Sequence, residues 1–309
     1  MSRLLFPHER EAIAQQIKDA INAYCLKTYD DGHRSHLGAS MIGDVCLRRL
    51  WYGFRWVQSS KFDGRMQRLF NRGHKEETRW IEWLRGIGFT IWYETEDGKQ
   101  FRIGGVEGHY GGSLDSVGRA PEWLSLLAQI GPFLVEYKTY NDKQFKKLTT
   151  DKVIKTKPRH WVQMCVYGSK NGFKYAVYCA INKNDDDIHI EIVELDEAVA
   201  RDAERKAESV ITSQIPPTRF SELPSHVECS GYKGKDVLAD DGLYKCDFYS
   251  ICHKGAPYEK NCRSCSHASP IKNGEWWCGL YSQTNGPLPK EVIKVGCPQW
   301  VAVGRANGR

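Results

Sequence analysis

Apolar residues recur at helical spacing from Pro7 to about Lys27 (Ile13, Ile17, Ile21, Tyr24), with acids early and the turn-forming Asp30-Asp31-Gly32 behind them. This spacing predicts a leading amphipathic helix. Ser40 is placed to open a second helix through Met41, Ile42, Cys46, Leu50 and Trp51, and Met66 to Arg85 reads as a third, carrying Trp80, Trp83 and Leu84. His74 and Glu77 lie three apart on that third helix and so share a face. The pattern then shortens to period two. Phe89–Glu94 and Lys99–Ile103 flank an Asp97-Gly98 turn, and strands follow over Tyr110–Val117 and Phe133–Tyr140. A helix is predicted from about Pro158 to Gly168, then a hairpin of Lys174–Ile181 and Ile188–Leu195, then a long helix from Asp196 to about Ser213.

Pro216-Pro217 marks a boundary, after which apolar periodicity fades and Cys, Gly, His and Trp take over. The expected organisation is an N-terminal helical segment over 1–60, a core over 61–215 and a Cys-rich region over 216–309. A chain of 309 residues can bury a full core. Neither the charge and apolar order of a signal peptide nor a run of about 20 apolar residues is present, so a soluble cytoplasmic protein with no membrane contact is expected. The net charge of +6 is modest, and its distribution matters more when a polyanion is the partner. Eleven cysteines, an odd number, argue for metal ligation over a closed set of disulfides. Cys25, Cys165 and Cys179 sit in apolar segments and read as packing residues.

The chemistry concentrates between Gly112 and Lys138. Asp115 ends one predicted strand, and Glu136-Tyr137-Lys138 lies within the next, where alternation sets Glu136 and Lys138 on one face. Glu-x-Lys is common on solvated strands, but here it follows Gly131-Pro132 and the apolar run Phe133-Leu134-Val135, in a strand expected to be buried. Two carboxylates beside a lysine suit phosphodiester hydrolysis: the acids hold Mg²⁺ or Mn²⁺, and the ammonium orients water or steadies growing negative charge.

In chain order these residues resemble the PD-(D/E)XK nuclease superfamily, in its RecB-like branch with AddB, lambda-type exonucleases and the iron–sulfur nucleases of CRISPR adaptation. Arg72-Gly73-His74-Lys75-Glu76-Glu77 resembles the helical element with a metal-binding histidine, Gly111-Gly112-Ser113-Leu114-Asp115 the strand ending in the metal-binding aspartate, and Glu136-Tyr137-Lys138 the D/E-x-K motif. Gln163 and Tyr167 resemble the following Q-x-x-x-Y helix, and Ser40 to Tyr52 the cysteine-bearing entry of the iron–sulfur members. The resemblance implies an α/β restriction-endonuclease-like core, a central mixed sheet flanked by helices. It implies a metal-dependent deoxyribonuclease, an exonuclease processing DNA ends in recombination or repair, in a phage-type setting. His74, Asp115 and Glu136 would hold Mg²⁺ or Mn²⁺, Lys138 would position the attacking water, and Gln163 and Tyr167 would wall the site. His109 and His160 fall outside the family position. No phosphate-binding G-x-x-x-x-G-K-[ST] loop is present, so a helicase partner would be another chain.

Two further groups flank this centre. Lys143, Lys146, Lys147, Lys155, Lys157 and Arg159 follow the candidate strand and read as a DNA phosphate track, against the default of a solvated lysine face. Cys262-Arg263-Ser264-Cys265 is a C-x2-C knuckle which, with Cys278 and Cys297, can make a tetrahedral zinc site, His267 being a spare ligand. Cys46 with Cys229, Cys246 and Cys252 resembles the [4Fe-4S] staple of the iron–sulfur members. It departs from that pattern, because Leu243 stands where the first cysteine of C-x2-C-x5-C belongs, and an iron–sulfur cluster, a second zinc and no metal all stay open. The alternative to an enzyme is a noncatalytic zinc-containing nucleic-acid-binding protein with a vestigial acidic site.

Overall fold

A computed structural model describes residues 4–29, 32–59, 62–222 and 246–304. Helix α1 (Pro7–Tyr29), strand β1 (Leu37–Gly38), helix α2 (Leu47–Phe54) and helix α3 (Gly64–Gly86) lead into the strands β2 (Thr90–Trp92), β3 (Arg102–Gly105), β4 (Tyr110–Ser113) and β5 (Ser116–Arg119). After the short α4 (Ser125–Gln129) come β6 (Phe133–Tyr140), α5 (Asp142–Thr156), α6 (Pro158–Asn171), β7 (Tyr175–Asn182), β8 (Ile188–Glu194) and α7 (Glu197–Thr212). The main sheet has the order β2-β5-β6-β7-β8, parallel between β6 and β7 and antiparallel elsewhere, with α5 and α6 making the β6–β7 crossover. A small sheet, β1-β4-β3, stands beside it.

Local chemistry accounts for the element ends. The Asp63 carboxylate caps α3 by accepting from the Met66 N–H at 2.7 Å, and Asp196 caps α7 through Ala198 and Val199. Pro158 opens α6, and Gly172, at φ +74°, closes it in the left-handed region. Two apolar layers cover the main sheet. On one face Phe133, Val135 and Tyr137 pack with Trp80 and Leu84 of α3; on the other Leu134 and Tyr140 pack with α6 and α7. The alternation along β6 therefore sends Glu136 and Lys138 toward α6.

The second apolar layer runs well beyond the sheet. It joins Leu37, Trp51 and Phe54 near the N-terminus to Phe248, Cys265, Trp276 and Val303 near the C-terminus. Arg263 is 1 % exposed, with its guanidinium 4.5, 4.3 and 4.8 Å from the ring centres of Phe54, Trp56 and Trp276. Arg55, beside it, donates to the carbonyls of Ser213 and Ala268 at 2.9 and 3.1 Å. Burial holds both guanidiniums below their ordinary basicity, Arg55 at about 10, and the charge of Arg55 adds to the lowering at Arg263.

The structure corrects several expectations. Phe89–Glu94 and Lys99–Ile103 do not pair: the Asp97-Gly98 turn forms, but β2 joins β5 and β3 joins β4, in separate sheets. Tyr110–Val117 is two strands rather than one, broken at Leu114-Asp115 where the chain passes from the small sheet to the large one. The second helix starts at Leu47, with the Cys46 thiol capping the Arg49 N–H, because Ser40 to Asp44 forms tight turns. The helical spacing of α1 holds, yet Ile13, Ile17, Ile21 and Tyr24 are 40–61 % exposed, since α1 touches the body mainly along α3.

Candidate active site

The break between β4 and β5 places Asp115 opposite the middle of β6, where its Oδ2 accepts the Tyr137 N–H at 3.0 Å. Lys138 Nζ reaches Glu136 Oε1 at 2.5 Å, Asp115 Oδ2 at 3.5 Å and the Tyr137 carbonyl at 2.9 Å. Glu136 is fully buried; Oε1 also accepts from Gln163 Nε2 at 2.9 Å, whereas Oε2 has no hydrogen-bond partner. Tyr167 lies one helical turn beyond Gln163, close to Gly112: a Cβ on that glycine would fall 2.4 Å from the Tyr167 hydroxyl. Gly112 is thus required by this approach.

Electrostatics tie a further group to this centre. Burial, then the Asp115 charge, pushes the Glu77 carboxyl up to about 7, with Lys138 pulling it down and Glu136 pushing it up. Glu136 is also raised, first by burial and then by Asp115, against Lys138 and Gln163. Burial alone would lower the Lys138 ammonium, but Asp115 and Glu136 outweigh it and raise it. Two carboxyls held this high beside a third mark a site with more negative charge than one lysine balances.

Glu77 is the functional candidate that motif reading left out of the ligand set. The signal was available, because it shares a helix face with His74. His74 is exposed and lines the same cleft as Glu77 and Lys138. His109 is buried against Phe54 and Trp276, its Nε2 2.7 Å from the Ile271 carbonyl oxygen. His160 lies with its Nδ1 2.7 Å from the Tyr178 hydroxyl, in a network with Tyr140.

No protein-family model matches the chain, and no curated protein does. Among solved structures the chain is similar to the alkaline exonuclease LHK-Exo of Laribacter hongkongensis in complex with dAMP. That overlay has a TM-score of 0.41 at 16 % identity, over 62 % of this chain and 90 % of that one. A structure described as SSO0001 overlays at 0.39 and 17 % identity, over 63 % and 85 %.

The lysine track divides. Lys146 pairs with Asp142 at 3.0 Å, Lys155 with Asp151 at 2.8 Å and Arg159 with the buried Asp44 at 2.9 Å, while Lys157 donates to Gln144 at 2.6 Å and lies over the Tyr140 ring. Lys143 and Lys147 are exposed on α5. Two sets of described thiols act electrostatically on one another. Burial raises Cys262 to about 11, and Cys265, Cys278 and Cys297 add to the rise; the Cys265 N–H closes the knuckle on the Cys262 carbonyl at 3.1 Å. Cys246 is raised to about 11 by burial, with Cys46 and Cys252 adding to it. Cys229 and Leu243 lie outside the described residues. Among the described residues, no group of three or more His, Cys, Asp or Glu side chains is placed to hold a metal ion. No described helix is long and apolar enough to cross a membrane.

Proposed function

We propose that the protein hydrolyses phosphodiester bonds in DNA with a divalent cation, as an exonuclease of the PD-(D/E)XK type. The observation that carries this reading is the meeting of Asp115 and Glu136 at Lys138, with Glu136 Oε2 buried and unpartnered and Glu77 lining the same cleft as Lys138. An orphaned buried carboxylate oxygen is costly unless something positive meets it. The carboxylates of Asp115, Glu136 and Glu77 are hard oxygen donors, which fit Mg²⁺ or Mn²⁺. Asp115 and Glu136 would hold the ion, with Glu77, His74 and the Tyr137 carbonyl available beside them. When bound, the ion supplies Lewis acidity at the phosphate and acidifies an attacking water.

The chain's own groups divide the remaining work. Gln163 fixes one oxygen of Glu136 beside Lys138 and leaves the other unpartnered. Lys138, held by two acids and a carbonyl, is a permanent cation that can orient a water and stabilise charge growing on the phosphate. Tyr167 lies against Gly112 and backs Gln163.

The C-terminal thiols support a second proposal, zinc held by Cys262, Cys265, Cys278 and Cys297. Cys46, Cys246 and Cys252, with Cys229, are proposed as a further thiolate site, iron–sulfur or zinc. DNA-end processing for recombination or repair, with a helicase in another chain, is the setting this reading favours. The deciding experiment digests end-labelled linear and circular DNA with Mg²⁺ and Mn²⁺: release of terminal nucleotides from linear DNA alone supports the exonuclease, and inert DNA with either ion overturns the enzyme in favour of a noncatalytic binding protein. Elemental analysis of anaerobically purified protein should return about one zinc per chain. Protein free of zinc, iron and labile sulfide would sink both thiolate sites.

A further inference from the structure

Glu77 and Lys138 line a cleft of about 1300 Å³, which runs on between α1, β1, α2 and α3. That exceeds the roughly 300–1,000 Å³ of ordinary small-molecule pockets. The groups for the proposed chemistry are recessed: Lys138 and Asp115 side chains are 26 % and 18 % exposed, and Glu136 not at all. A duplex presents its phosphates on the outside of a stiff rod and keeps its base faces stacked inside. A separated strand can bend a phosphate into a recess and turn its bases onto protein rings.

The rest of the cleft carries groups of that kind. Phe62 and Phe70 meet edge to face at 5.0 Å yet remain 42 % and 40 % exposed to the cleft. Arg34 is exposed, and its guanidinium donates to the Ser40 hydroxyl at 3.2 Å, with no carboxylate partner among the described residues. Nearby His36 is lowered by burial, then by the charges of Arg34, Arg102 and Arg263, so several cations act on this wall. The lysine track contrasts with it: Lys146, Lys155 and Arg159 are paired with acids, and no member of the track lines the cleft.

We infer that this cleft is the path of a single DNA strand into the carboxylate centre, with Phe62 and Phe70 as a base-stacking platform and Arg34 as a phosphate contact. The inference rests on the nuclease reading for what happens to the strand, but strand binding can be measured apart from cleavage. The test is fluorescence anisotropy of labelled oligothymidylate in EDTA, beside a duplex of equal length and the matching RNA strand. The single DNA strand should bind most tightly. Phe62→Ala and Phe70→Ala should each weaken it about tenfold. Arg34→Glu should weaken it further and lower the salt dependence by about one phosphate contact. These side chains are exposed, so unchanged melting of each variant is the folding control. Equal or tighter binding of duplex or RNA overturns the inference, as does a larger loss from Lys143→Glu or Lys147→Glu than from Arg34→Glu. If strand binding follows the expected pattern while no DNA is cut with Mg²⁺ or Mn²⁺, the nuclease reading fails and the strand path stands.

Discussion

Two regions of this protein bury charged groups in quantity, and they solve the problem in opposite ways. At the β5–β6 centre, acids gather around Lys138 and still leave Glu136 Oε2 without a partner. At the junction of α2 with the C-terminal region, Arg55 and Arg263 are buried side by side against aromatic faces and backbone carbonyls, with no acid paired to either among the described residues. The first arrangement holds excess negative charge and invites a cation. The second is a staple, in which ring faces and carbonyls meet the positive charge although Arg55 Nε and Arg263 Nε and Nη2 also lack hydrogen-bond partners. Unpartnered buried atoms occur in both regions, so what marks the first as functional is the excess of acids over Lys138 and the cleft that Lys138 and Glu77 line.

The sharpest way to break the contrast is to remove a charged group that belongs to the centre itself. Lys138→Ala, or Asp115→Ala, should lower DNA cleavage at least 10³-fold, about 4 kcal/mol in the barrier, while strand binding persists. Full activity in either purified variant defeats the proposed site. At the staple the effect should appear in stability and not in chemistry. Arg263→Ala empties a slot between three rings, and denaturant unfolding should show a loss of about 3 kcal/mol; a loss below about 1 kcal/mol would show that the rings close without it.

The difference between these regions also explains what could be read in advance. Strand alternation set Glu136 and Lys138 on one face, whereas Gln163 and Tyr167 came from the resemblance, and the break between β4 and β5 that brings Asp115 to Lys138 had no local signal. The Lys99–Ile103 strand was found but given the wrong neighbour, since period-two patterning says nothing about which sheet a strand joins. Arg263 was passed over as part of a C-x2-C knuckle; its role depends on Phe54 and Trp56, some two hundred positions earlier in the chain. The lysine track was legible as charge, and the spacing of Asp142 from Lys146 and of Asp151 from Lys155 is one helical turn, but the Asp44 partner of Arg159 appears only once the fold brings them together.

Glu77 sharpens the comparison from the side of the acids. If its charge belongs to the centre, Glu77→Gln should slow cleavage about 30-fold, about 2 kcal/mol, and raise the Mg²⁺ concentration needed for half-maximal rate. A variant with unchanged metal dependence would leave Glu77 as a bystander and return its place to His74.

The smallest effect probes a group near the centre that carries no charge at all. Burial, with Lys138, Lys157 and Arg159 adding to it, lowers His160 to about 3, and its Nδ1 is engaged by the Tyr178 hydroxyl. The unfolded chain takes up a proton there near pH 6.5, while the folded chain refuses it until about pH 3. Between those values the unfolded state binds more protons, so acidification costs stability, and above the upper value the term vanishes. Lowering the pH from 7 to 5 should therefore cost the parent about 1–2 kcal/mol more than His160→Gln, after allowance for partial solvent access. Denaturant midpoints at the two pH values measure it. Parallel losses in parent and variant would mean that His160 accepts its proton in the folded protein, and that burial opposes the imidazolium less than its surroundings imply.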